Sequence, residues 1–232
     1  MLGIAGKKRW KQKMMHRPPL LSRALRARAA AIAVAALLLA ATDGRAALSA
    51  TSYPSLFGTR ETASSGLKLF PKWRGVMERF SEEKSNCFNP LCNQEYWRQV
   101  LDELAGADRR AQLDRINREM NEKLYVTDPI NWGVPDYWAT PFQFTRKNGD
   151  CEDYAIAKFM ALRALGVENA EMRIVVLNDL NLRIGHAVLV VYVDGQALVL
   201  DNQIKTVVPA DTIRHYQPVY SVNEDGWWLH RP

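Results

Sequence analysis

From Glu152 to Leu165 the chain runs Ala155, Ile156, Ala157, Phe159, Met160, Ala161, Leu162, Ala164 and Leu165, apolar nearly all the way round if wound as a helix. A helix with no wide polar face has to be buried, so this stretch predicts a rigid rod in the core. The turn Asn148-Gly149-Asp150 delivers Cys151 to its first turn. Unpaired backbone N–H groups and the helix dipole favour thiolate over thiol at that position, which is one way a fold prepares a nucleophile. The bland alternative is a small residue filling a gap. Asp150, Glu152 and Asp153 on either side argue against it, since acids seldom flank a plain core position.

The chain has 232 residues and a formal charge of +6. Its first segment sets that charge. Met1 to Arg28 is rich in Lys and Arg, Ala29 to Ala41 is an apolar run, and Gly44-Arg45-Ala46 ends in small residues. This predicts a secretory signal over residues 1–46, cut after Ala46 or, as the alternative, after Ala50. The apolar run is shorter than the roughly 20 residues of a spanning helix, which disfavours an uncleaved anchor. Ten Lys/Arg and one Asp leave with residues 1–46, so +6 becomes −3. The mature chain then lacks the basic surface that nucleic-acid binding requires. Three cysteines in an exported chain put Cys87 and Cys92, around a proline turn, within reach of a local disulfide. Cys151 is left as the odd, reactive thiol.

Residues 47–71 read as an extended lead-in, and residues 72–232 as one domain. Trp73, Val76, Met77 and Phe80 recur at helical spacing, as do Tyr96, Trp97, Val100, Leu101 and Leu104 after a cap at Asn93, and Leu113, Ile116, Met120 and Leu124 in a third helix. Between Tyr125 and Lys147, Pro129, Pro135 and Pro141 stand among Trp132, Tyr137, Trp138, Phe142 and Phe144, which predicts a long aromatic loop without regular helix. Beyond Gly166, a suitable C-cap, Met172–Leu177, Ala187–Val193, Gln196–Leu200, Thr206–Val208 and Pro218–Val222 read as strands. A helical N-terminal half followed by an antiparallel β-sheet makes the fold class α+β.

Asp194-Gly195 between two apolar runs predicts a two-residue hairpin turn. In that register Val193 faces Gln196, Val188 faces Asp201 and His186 faces Gln203, so His186 and Asp201 share a face as a diagonal pair. A one-residue bulge would separate them. Cys151, His186 and Asp201 are then the parts of a Cys-His-Asp triad: the thiol as nucleophile, the imidazole as its base, the carboxylate as the group that orients the imidazole. The Cys151 backbone N–H is a candidate oxyanion donor, with Tyr137 or Trp138 as sources of a second. The three acids beside Cys151 leave two readings open, helix caps or hard-oxygen ligands for Ca²⁺.

The runs Asp136-Tyr137-Trp138-Ala139-Thr140-Pro141, Gly149-Asp150-Cys151-Glu152-Asp153-Tyr154-Ala155-Ile156-Ala157-Lys158, Gly185-His186-Ala187-Val188-Leu189 and Leu200-Asp201-Asn202 resemble the bacterial transglutaminase-like cysteine proteinases, the periplasmic LapG type among them. The resemblance runs from about Trp73 to the C-terminus. It implies a papain/transglutaminase-like core, a catalytic Cys151, His186 and Asp201, and a calcium site that includes Asp150 and Glu152, with Asp153 the weaker ligand. It further implies a periplasmic endopeptidase that cleaves the N-terminal region of a large surface adhesin and releases biofilm cells, with an inner-membrane cyclic di-GMP receptor as inhibitory partner. Two other readings compete with it: an acyltransferase or amidase on the same scaffold, and a catalytically silent receptor-binding module.

Overall fold

The computed structural model describes residues 53–86 and 94–232. The expected signal, the Cys87–Cys92 bridge and the Asn93 cap lie outside the described residues. Six helices are present among them: α1 (Pro71–Asn86), α2 (Gln94–Leu104), α3 (Arg109–Asn121), α4 (Asp128–Asn131), α5 (Pro141–Lys147) and α6 (Cys151–Ala164). Seven strands, β1 (Arg60–Ser65), β2 (Met172–Asp179), β3 (Ile184–Val193), β4 (Gln196–Leu200), β5 (Val208–Pro209), β6 (Tyr216–Val222) and β7 (Gly226–Arg231), form one antiparallel sheet in the order β1-β7-β6-β2-β3-β4-β5.

The apolar rod is α6, and Ile156, Phe159 and Leu162 on it are fully buried. Side chains of that size contribute about 1.5–3 kcal/mol each when buried, enough to fix the helix and the first turn that carries Cys151. α6 packs on β3, on β2 and on α3, and the Trp73 ring of α1 meets Phe159 edge-on with centroids 5.4 Å apart. The helix stops at Gly166 for a backbone reason. Gly166 has φ +83°, its N–H bonds Arg163 O (3.1 Å), and Val167 N–H bonds Leu162 O (3.0 Å), which is a Schellman termination.

The sheet buries both faces. Ile174, Leu189, Val191, Leu198 and Leu200 point to the helical layer, while Val175, Val188, Val190, Tyr192 and Val199 meet Leu56, Ala210, Ile213 and Tyr216 on the other side. Within the lead-in, Arg60–Ser65 is an edge strand paired with β7. Its sequence, Arg-Glu-Thr-Ala-Ser-Ser, lacks the apolar alternation that marks a half-buried strand.

The long aromatic loop differs from expectation in containing two short helices. Pro141 does not break α5, because it stands in the first turn, where no backbone N–H is needed. Thr140 caps that turn by accepting from Gln143 N–H at 3.2 Å, and Gln143 Oε1 accepts from Thr140 N–H at 2.9 Å.

Candidate active site

Cys151 begins α6, and the backbone N–H of the β3 residue Ala187 acts to lower its thiol pKa, against larger effects that raise it. α6 packs on β3, so the helix that begins with the predicted thiol lies against the strand that carries the predicted imidazole. The hairpin brings the third residue. Asp194 and Gly195 have φ +50° and +78°, the signature of a tight turn whose twist suits a hairpin. The ladder from Val193↔Gln196 to Leu189↔Leu200 is the predicted register without a bulge. His186 Nε2 stands 3.0 Å from Asp201 Oδ1, with both side chains buried.

Asp201 is held on every side. Tyr216 Oη donates to its Oδ2 at 2.6 Å and Gln203 N–H to its Oδ1 at 2.8 Å. Burial alone would raise the Asp201 pKa, but the hydrogen bond and charge of His186, with Tyr216 and Gln203, hold it below the ordinary carboxylate value. With Nε2 engaged by the carboxylate, Nδ1 is the nitrogen left for a thiol. At rest it lies 3.4 Å from Gln203 Nε2. The Cys151 thiol in turn donates to Glu152 Oε2 at 3.3 Å. Burial, then the charge and hydrogen bond of Glu152, then Asp150, push its pKa above the usual thiol range.

The acids beside Cys151 have different tasks. Asp153 accepts from Ala139 N–H (2.7 Å) and Asp150 N–H (3.4 Å), which ties the aromatic loop to the start of α6. Asp150 Oδ2 accepts from Asp128 N–H at 3.3 Å. Carboxylate oxygens of Asp128, Asp136 and Glu152 lie within 4.8 Å of one another, as do those of Asp128, Asp150 and Asp153. Asp128 is 1% exposed, and its Oδ1, like Asp150 Oδ1, is buried without a hydrogen-bond partner. Burial and then repulsion from Asp150 raise Glu152 to about 9, and burial raises Asp128, with Asp150 and Asp136 adding to the effect. Hard oxygens from two loops, two of them unpartnered, suit a dication that takes six to eight oxygen ligands.

The family model of the bacterial transglutaminase-like cysteine proteinases matches residues 83–230. The chain belongs to this family. Calcium-bound LapG of Legionella pneumophila is 31% identical, over 66% of this chain and 87% of its own, with a TM-score of 0.55. EGTA-treated LapG of the same organism gives 31%, 68%, 86% and 0.56. No curated protein matches. The fold is therefore the α+β, transglutaminase-like fold expected, and the chemistry of the family is that of a cysteine proteinase.

On this transglutaminase-like frame the predicted His186 and Asp201 pair beside the hairpin, the predicted Cys151 begins the helix packed on β3, and Asp150 and Glu152 lie among the acids of the aromatic loop, Asp128 and Asp136. The sequence reading missed those last two, although both are acids inside the proline-rich loop. It also missed Tyr216, which enters from a strand 15 residues beyond Asp201 with no local signal. Tyr137 N–H donates to Asp128 Oδ2, while the Trp138 ring is buried and its carbonyl accepts from Arg79 Nη2 at 2.6 Å. Among the described residues no helix is long and apolar enough to cross a membrane.

Proposed function

We propose that the chain is a periplasmic, calcium-dependent cysteine endopeptidase that cuts the N-terminal region of a large surface adhesin, releases biofilm cells and is restrained by an inner-membrane cyclic di-GMP receptor. The observation that carries the enzymatic part is the buried His186–Asp201 pair, whose Nε2–Oδ1 contact of 3.0 Å leaves Nδ1 for the thiol at the start of α6, the helix packed on β3. Family membership supports the cysteine-proteinase chemistry, and the names of the calcium-bound and EGTA-treated LapG structures support the use of calcium; the location, the adhesin and the receptor rest on the sequence resemblance.

In this reading the Cys151 proton passes to His186 Nδ1 and the sulfur attacks the scissile carbonyl carbon, forming a C–S bond. The peptide C–N bond then breaks, with the amine leaving with the proton from the imidazolium. Water, deprotonated by His186, attacks the thioester, and the C–S bond breaks to give a free carboxylate and the thiol. Asp201, locked by Tyr216 and Gln203, keeps the imidazole oriented throughout. Asp128, Asp136, Asp150 and Glu152 would hold calcium, whose charge offsets the negative field around the nucleophile when bound.

Deleting the gene and comparing surface with supernatant proteins is the test. One large exported protein should stop being shed, and a Cys151→Ser copy should fail to restore shedding. An unchanged surface protein profile, or full restoration by Cys151→Ser, would overturn the reading.

A further inference from the structure

His230 of β7 is 5% exposed beneath the lead-in, and both of its ring nitrogens are bonded: Nδ1 stands 3.0 Å from Thr59 Oγ1 and Nε2 stands 2.9 Å from Ser221 Oγ. Thr59 gives its one hydroxyl hydrogen to the Leu56 carbonyl at 2.8 Å. Toward His230 it can only accept, so Nδ1 carries the imidazole hydrogen and Nε2 accepts from the Ser221 hydroxyl. The site is built for an uncharged histidine. A second proton, on Nε2, would displace the hydrogen of Ser221, which is fully buried and has His230 as its one side-chain hydrogen-bond partner among the described residues. A buried donor deprived of its acceptor is destabilising.

The neighbouring charges do not offset this. Glu61, the cross-strand partner of His230 on β1, has Oε1 3.8 Å from Nδ1. That carboxylate is engaged already, since Oε1 accepts from Leu56 N–H at 2.9 Å and Oε2 pairs with Arg173 Nη1 of β2 at 2.5 Å. Arg60 and Arg231, the next pair in the ladder, are exposed and alternate to the other face. Tyr53 and Tyr192 stack at 4.3 Å and stay neutral, because burial raises both. Burial lowers the His230 pKa, with Glu61 opposing the fall and Arg173 adding to it.

These bonds fasten the lead-in to the sheet. β1 exposes every side chain except Glu61, so beyond its backbone ladder to β7 it is held through Glu61 and, just before it, Thr59. The same segment carries Phe57, whose φ of +51° is a left-handed conformation that a bulky side chain rarely adopts. Its ring meets that of Tyr216 edge-on with centroids 5.8 Å apart, and Tyr216 is the donor to Asp201 Oδ2.

We infer that residues 53–65 form an acid-released strap: neutral His230 fastens it, protonation of His230 frees it, and while fastened it backs Tyr216 against the Asp201 carboxylate. The last step rests on the reading of His186 and Asp201 as the catalytic pair. Because the folded-state histidine resists its proton, the fastening is complete above the ordinary value of 6.5 and weakens as pH falls below it.

The test is hydrogen exchange on the full mature chain, with protection corrected for the intrinsic exchange rate at each pH. From about pH 7.5 to about pH 5 the protection of Arg60–Ser65 should fall about tenfold while that of α6 holds, since a neutral buried histidine has to charge. In His230→Gln, which keeps a donor and an acceptor but does not titrate, strap protection should stay level. NMR of the wild type decides the matter even if that variant does not fold: His230 should carry its hydrogen on Nδ1 at neutral pH, and its titration should track the loss of strap protection. At neutral pH Phe57→Ala should shift the His186 imidazole resonance, because the Tyr216 ring lies 5.7 Å from it. Level protection in the wild type, an equal fall in His230→Gln, or a neutral His230 with its hydrogen on Nε2 would overturn the strap, and an unmoved His186 resonance would overturn its link to the catalytic pair. None of these readouts needs substrate, so a failure here is distinct from a failure of the proteinase reading, which Cys151→Ser decides.

Discussion

Gly149→Ala should cost the domain about 3–5 kcal/mol, although the glycine has an ordinary backbone conformation. A methyl group at Gly149 would lie 2.2 Å from Asp153 Oδ2, 2.7 Å from its Cβ and 2.8 Å from its Cγ. Rotating the carboxylate clears only the first and third contacts, because the Asp153 Cβ is fixed by the first turn of α6. Either the 148–150 segment or the helix start has to move, and both break the bonds from Ala139 N–H (2.7 Å) and Asp150 N–H (3.4 Å) to Asp153. Such bonds contribute about 1–3 kcal/mol each, the longer one at the low end, and overpacking adds roughly 1–3. Against a total stability of about 5–15 kcal/mol the variant is badly weakened. Urea unfolding measures the loss. On an Asp153→Gly background, which removes all three of those atoms, the same substitution should cost less than about 1 kcal/mol, since coupled neighbours are non-additive. A Gly149→Ala variant within about 0.5 kcal/mol of wild type, or an equal cost on both backgrounds, would refute the steric reasoning.

Tyr216→Phe removes the donor to Asp201 Oδ2 but keeps the ring against His186; kcat should fall roughly tenfold with KM little changed, because the tyrosine touches the base's partner rather than the substrate, and steady-state kinetics on an adhesin fragment measures it. In protein stripped with EGTA, Glu152 has a folded-state pKa raised from 4.5 to about 9, so the folded state holds a proton that the unfolded chain has shed. Its contribution to stability is then fully present below pH 4.5 and is lost as pH rises through about 9. Thermal melts across that window should slope downward, calcium should flatten them, and Asp128→Asn should weaken the calcium heat in calorimetry.

What was legible followed from local pattern. Helical spacing located α1, α2, α3 and α6, although α3 stops at Asn121 and leaves the expected inward Leu124 beyond it and exposed; Gly166 marked the end of α6, and Asp194-Gly195 set the register that joins His186 to Asp201, because a two-residue turn leaves no freedom in the pairing. What was illegible depended on contacts between distant segments. β1 carries polar residues on a sheet edge and gave no alternation to read. Asp128 and Asp136 become neighbours of Glu152 only when the aromatic loop folds back, through Val126 N–H to the Gly149 carbonyl at 2.8 Å. The loop itself was misjudged through its prolines, which break a helix interior but suit a first turn, where Pro129 and Pro141 stand.

Glu152 links the two halves of the site. Its Oε2 takes the hydrogen bond of the Cys151 thiol, and its carboxylate also has an oxygen among those of Asp128 and Asp136. The first contact keeps the sulfur protonated and engaged away from His186, while Gln203 engages Nδ1 on the other side. Thiol and imidazole are therefore each bonded elsewhere at rest. Under the proposed reading, calcium dependence is then a competition for one side chain: a Glu152 committed to a metal through both oxygens no longer accepts from the thiol. Helix capping accounts for Asp153 and Asp150 at the start of α6 and for part of the benefit of a third acid there, whereas the bond from the thiol and the company of Asp128 and Asp136 belong to Glu152 in particular.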